Sequence, residues 1–145
     1  MVLKRVGVVE NKVKEHRFGG WKSVVSRIVL DDAFKAGLDG LKDYSHVVVV
    51  FWMSNVKTCK IKHFPQGKKD QGVPEVGIFA CRCPARPNPI AITTVKLLEV
   101  GENFVSVEGL DAVDGSPVLD IKPFTPEYDV VENFRVPQWV SKLDF

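Results

Sequence analysis

Seven consecutive apolar residues, Val47-Val48-Val49-Val50-Phe51-Trp52-Met53, constrain this chain more than any other stretch. The run falls far short of the roughly 20 residues that span a bilayer. It shows no alternation of apolar and polar residues, so it reads as a central strand covered on both faces. The rest of the chain supplies partners for it. Lys4 to Glu10, Ser23 to Leu30, Val76 to Ala80, Asn103 to Gly109 and Pro117 to Ile121 are short β-rich runs. Ile90 to Val100 leaves its period open, and Thr93 and Thr94 favour strand. Asp31-Asp32 can cap one short helix through Ala33, Phe34, Leu38 and Leu41, weakened by Gly37 and Gly40. Short strands between Gly, Pro and Asp turns, with one weak helix, predict a mainly β barrel or sandwich rather than a βαβ array.

At 145 residues one domain spanning 1–145 is expected, its core at about 6–129 and an extended C-terminal arm at 130–145. Isolated aromatics in the tail from Pro126 onward, Tyr128, Phe134 and Trp139, suggest an arm that packs on something, such as a second subunit. The 45% hydrophobic and 26% charged content are those of a soluble globular protein. The N-terminus runs straight into a strand-like pattern without a secretory signal, and three cysteines are an odd number, so a reduced, cytoplasmic location is expected. A net charge of +2 is too mild to announce nucleic acid. The loop from Asn55 to Gly72 is different: Lys57, Lys60, Lys62, His63, Lys68 and Lys69 face a single acid, Asp70. That is either a solvated charge run or a phosphate-facing patch.

Two proline-stiffened or glycine-bent corners carry the chemistry. In Arg82-Cys83-Pro84-Ala85-Arg86-Pro87-Asn88-Pro89-Ile90, three prolines fix φ and hold Arg82, Arg86 and Asn88 on stiff chain. The arginines of such a turn either cap carbonyls or face a ligand. Asp114-Gly115-Ser116-Pro117 is a turn that can present backbone groups. Asp120 and Lys122 share a strand face and can pair. His46, at the mouth of the buried strand, reads as structural. Cys59, His63, Cys81 and Cys83 total the four N or S ligands of structural zinc, but the usual two-residue spacings are missing, so no metal is expected. There is no phosphate-binding glycine loop, no Gly-x-Gly-x-x-Gly fingerprint and no Gly-x-Ser-x-Gly elbow.

These two corners, together with Gly40-Leu41-Lys42-Asp43-Tyr44-Ser45-His46, resemble the signatures of the TsaA/TrmO-like family over nearly the whole chain. The resemblance implies a homodimeric β-barrel tRNA methyltransferase. It would move a methyl group from S-adenosylmethionine to the exocyclic nitrogen of threonylcarbamoyladenosine beside the anticodon. It puts the cofactor at Glu15, His16, Arg17, Ser54, Asn55, Arg82, Ile92, Asp114, Gly115, Ser116 and Pro117. Asp114 and Asp120 are then the candidate bases, with Lys122 holding Asp120. Arg82 is assigned to the cofactor's polar end, and Arg86 and Asn88 to the substrate carboxylate or the anticodon-loop backbone. This chain departs from the family pattern at Cys81, Cys83 and Ala91, where Thr, Ser and Gly are usual, at Ser116 for Thr, and at Ser54 for His. A non-catalytic cofactor-binding or RNA-binding barrel is the alternative.

Overall fold

The computed structural model describes residues 2–145. It has eight strands: β1 (Gly7–Glu10), β2 (Val25–Leu30), β3 (His46–Trp52), β4 (Lys62–His63), β5 (Val76–Gly77), β6 (Ile90–Val100), β7 (Phe104–Glu108) and β8 (Pro117–Pro123). Six of them close into an antiparallel barrel in the order β1-β2-β7-β6-β3-β8, and β8 pairs back onto β1. Closure leaves no open edge in the main sheet.

Alternation decides what the barrel encloses. Val47, Val49 and Phe51 of β3 point inward and meet Ile28, Val95, Val105 and Val118 in one core. Val48 is buried too, although it faces outward, so the middle of β3 is covered on both sides as its composition predicts. Two irregularities bend the wall. Between Leu97 and Glu99 the register with β7 slips by one residue, which lets the long β6 serve β3 with its first half and β7 with its second. A second slip lies between Val50 and Phe51 against β8. Because Leu119 is the extra residue, Val118 and Ile121 both reach the core while Asp120 and Lys122 turn outward.

Three local expectations need correction. The segment capped by Asp31 forms 3₁₀ turns at Asp32–Leu38 and Leu41–Asp43, not an α-helix. The Asp31 carboxylate does not cap the turn; it binds Arg5 at 3.2 Å. Gly40 breaks the segment with φ 82°. The only α-helical turn among the described residues is α1 (Pro126–Asp129). The strand expected over Val76 to Ala80 ends at Gly77, and Ile78–Ala80 is a 3₁₀ turn.

The excursion between β3 and β6 is a small lobe rather than a bare loop. Its ends are tied by the Met53 N–H on the Pro89 carbonyl at 2.8 Å, and β4 pairs with β5 inside it. The end of the C-terminal arm, Lys142 and Asp144, docks here on its own chain, while Tyr128 and Phe134, expected to pack, stay exposed. Lys68 binds the Asp144 carboxylate at 2.9 Å and Gln66 exchanges two hydrogen bonds with the Asp144 backbone. Lys142 donates to the carbonyls of Gln71 and Gly72. Lys68, one of the lysines read as either a solvated run or a phosphate-facing patch, is therefore largely consumed as a clamp for the arm.

Candidate functional site

The barrel sorts its loops by end. β1, β3 and β7 finish, and β2, β6 and β8 begin, at one rim, because every neighbouring pair is antiparallel. That rim carries residues 11–24, 53–89 and 109–116, which include both sequence corners. The strand register agrees: Phe51 pairs with Ala91 of β6 on one side and with Val118 of β8 on the other.

The Asp114 corner is held by its own hydrogen bonds. Gly115 takes φ 79°, a left-handed conformation open to glycine, and lets the Ser116 N–H return to the Val113 carbonyl at 3.2 Å. The Ser116 hydroxyl is buried and donates to the same carbonyl at 2.7 Å. The Asp114 and Gly115 N–H groups donate to the carbonyls of Val13 and Val9. Asn11 anchors the corner from the other side. Its N–H donates to Asp114 Oδ1 at 3.0 Å, and its side-chain amide donates to Ser26 Oγ and to the Ala112 carbonyl. The Lys14 ammonium and the Asn11 N–H hold the Asp114 carboxyl below the usual carboxylate range. A carboxylate so stabilised is a weak proton acceptor near neutral pH, so Asp114 suits a fixed charge better than a general base.

The Arg82 corner is built differently. Arg86 is half-buried, and its Nη1 donates to the carbonyls of Cys81 at 2.7 Å, Ile78 at 3.1 Å and Cys83 at 3.4 Å. It is the carbonyl-capping arginine of a Pro-rich turn. Arg82 points the other way, is exposed, and makes a hydrogen bond from Nη2 to the Ile92 carbonyl at 2.9 Å. Next along β6, the Thr93 hydroxyl donates to Asp111, three residues before Asp114. A continuous path of contacts therefore joins the two corners.

Ile92 is half exposed, and it pairs with Val50. Asp120 pairs with the same Val50 from the opposite side. All three face outward, so Asp120 lies in one row with Ile92, two strand spacings or about 10 Å away. Lys122 binds Asp120 at 2.6 Å. Asp120 raises the Lys122 ammonium above its ordinary value. Ser54 and Asn55 are exposed where β3 leaves the rim. In the β1–β2 loop, Arg17 donates to the Gly20 carbonyl and lies 5.0 Å over the Trp21 ring, His16 packs edge-on against Phe18, and Glu15 is exposed. Asn88 is exposed at the tip of the Arg/Pro turn. His46 meets Ser45 at 2.8 Å and the Phe124 ring, away from this rim.

Residues 16–130 match the family of the tRNA-methyltransferase O N-terminal domain. That stretch is most of the chain. The chain belongs to the TrmO family. An S-adenosyl-L-methionine-binding protein of Archaeoglobus fulgidus is 38% identical over 139 residues, covering 93% of this chain and 97% of its own. A mouse tRNA (adenine(37)-N6)-methyltransferase is 38% identical over 99 residues, 68% of this chain and 23% of that one. The crystal structure of TrmO from Pseudomonas aeruginosa superposes with a TM-score of 0.75 at 26% identity, covering 93% of this chain. The TrmO-family barrel described above spans only 60% of that solved chain.

For a TrmO-family chain, the residues at this rim suit a sulfonium cofactor. Arg82 offers an exposed guanidinium for a carboxylate, Ile92 an apolar contact, and Gly115 an open backbone. What sequence reasoning missed is Asn11, the residue that fixes the Asp114 corner. Its one local signal was an Asx turn, Oδ1 accepting from the Val13 N–H at 2.9 Å.

Proposed function

We propose that the chain is an S-adenosylmethionine-dependent tRNA methyltransferase that acts on the exocyclic nitrogen of threonylcarbamoyladenosine next to the anticodon. The observation that carries this reading is the meeting of the Arg82 and Asp114 corners at one rim, linked through Ile92, Thr93 and Asp111. The antiparallel barrel puts both TrmO-family signatures at one end, where a single ligand could touch both.

The cofactor supplies an electrophilic methyl group on a cationic sulfur. The protein's part is positional, because displacement needs donor and acceptor in line. Arg82 would hold the amino-acid carboxylate of the cofactor, its direction fixed by the bond to the Ile92 carbonyl. Glu15, His16, Arg17, Ser54 and Asn55 at the same rim would border the bound cofactor, and Gly115 with its neighbours Asp114, Ser116 and Pro117 would lie against it. Asp120, steadied by Lys122, is the carboxylate placed to take the proton of the urea-like nitrogen. Arg86 acts by holding the Arg82 segment rather than by touching substrate. Asn88 and the exposed lysines 57, 60, 62 and 69 meet the anticodon loop, so affinity falls with salt. The proposed working form is a cytoplasmic homodimer; its oligomeric state is read directly by sedimentation.

The test is label transfer. The protein is incubated with methyl-labelled S-adenosylmethionine and tRNA that carries threonylcarbamoyladenosine but lacks this methylation. Label in that tRNA, and none in tRNA without the threonylcarbamoyl group, is expected. Label in both would move the target elsewhere on the RNA. Saturable cofactor binding with no label in either would leave a binding module only.

A further inference from the structure

We infer that the lobe between β3 and β6 holds a zinc ion on His63, Cys81 and Cys83, behind the segment that carries Arg82. The ligand atoms of these three residues lie within 4.8 Å of one another. His63 Nε2 and Cys81 Sγ are 3.4 Å apart. With Zn–S near 2.3 Å and Zn–N near 2.0–2.1 Å, tetrahedral ligands stand about 3.5–3.8 Å apart, so small side-chain rotations suffice. Nitrogen and sulfur donors select zinc over hard, oxygen-seeking cations.

The backbone brings the ligands together. His63 sits in β4, fixed by its pairing with Val76 of β5. The 3₁₀ turn at Ile78–Ala80 then reverses the chain, and Cys81 follows in extended conformation, φ −142° and ψ 166°. In extended chain, alternate side chains share a side. Cys81 and Cys83 therefore face His63 while Arg82 faces solvent at the rim. The Arg86 cation lies against the Cys81 and Cys83 carbonyls, a positive charge close to both sulfur-bearing residues. Cys83 is buried, and His63 and Cys81 are half-buried, so the site is sheltered yet reachable.

On binding, Zn²⁺ would release one proton from each thiol to solvent and take the free imidazole lone pair, giving a complex of zero net charge with two thiolates. Water completes the fourth position. Cys59, expected from sequence to be the fourth member if any metal bound, is exposed and outside the cluster. The ion would staple the β4–β5 pair to the Arg82 segment and so stiffen the candidate site from behind. This revises the sequence expectation of no metal.

The test uses the full chain, incubated with one equivalent of Zn²⁺ and dialysed. About one zinc per chain should be retained. Co²⁺ in its place should give an intense near-ultraviolet thiolate-to-cobalt band. Cys81→Ser and His63→Ala, each checked for native circular dichroism, should lower retained zinc at least tenfold, and Cys59→Ala should leave it unchanged. Chelation of the wild-type zinc form should lower Tm by about 5 °C. Less than a tenth of a zinc per chain with no cobalt band in the wild type would overturn the site, and that result needs no variant to fold. Full retention in both Cys81→Ser and His63→Ala, or loss in Cys59→Ala, would overturn the ligand set.

Discussion

The two corners that meet at the rim solve opposite problems. The Asp114 corner closes on itself: its backbone N–H groups, the Ser116 hydroxyl and the Asp114 carboxylate are all engaged by Val9, Val13, Val113, Asn11 and Lys14. It offers a ligand shape, not free donors. The Arg82 corner is stiffened by prolines and braced from within by Arg86, and it pushes a cation outward. One arginine holds the turn and its neighbour stands exposed at the rim, although composition makes them look alike.

That contrast can be broken first at Arg82. Arg82→Ala should weaken S-adenosylmethionine binding by about 10- to 100-fold, the worth of a charge-assisted two-point contact, with Tm almost unchanged. Titration calorimetry and a thermal scan on one preparation check both halves. Arg86→Ala should do the reverse. Three carbonyls lose their donor at a half-buried site, which costs about 2 kcal/mol in denaturant unfolding. An Arg86 variant of wild-type stability but with no activity on tRNA would return Arg86 to substrate contact.

Asn11→Ala should cost a similar or slightly smaller amount, about 1–2 kcal/mol, by releasing Ser26, Ala112 and the Val13 N–H at once. The smallest effect concerns acid. Asp114 has its carboxyl lowered in the folded state by Lys14 and Asn11. Its contribution to stability is therefore present above the unfolded value, about pH 4, and is lost as pH falls through the lower folded value. Asp114→Asn should lower Tm slightly at neutral pH, and the gap from wild type should close in acid. A gap that is constant with pH would assign the effect to packing instead.

The sequence made the barrel wall legible and the lobe illegible, for reasons visible in particular residues. β3 was readable because its side chains are covered along most of its length, whereas β6, largely exposed, left its period open and was tipped to strand only by Thr93 and Thr94. The Asp32–Leu38 segment was misjudged because a capping aspartate implies a helix only if the side chain stays local, and Asp31 is taken by Arg5. Strands of two residues, Lys62–His63 and Val76–Gly77, carry no period at all. The arm's partner was hidden for another reason: Lys68 and Asp144 are 76 positions apart, and a run of lysines gives no hint of which one is paired. Of the candidate site, the two corners were legible as motifs. Asn11, whose partners Ala112 and Asp114 lie about a hundred residues away, was not.

The central claim is a location, and amide chemical-shift mapping with S-adenosylmethionine tests it most directly. The molecule offers a competing place, a cavity of about 540 Å³ towards the other end of the barrel, lined by Leu38, Tyr44 and Ile121 and reaching Asp120. The account predicts shifts concentrated at Ser54, Asn55, Arg82, Ile92 and Gly115, with Leu38 and Tyr44 silent. Shifts centred on Leu38, Tyr44 and Ile121, with Arg82 and Gly115 unmoved, would contradict it.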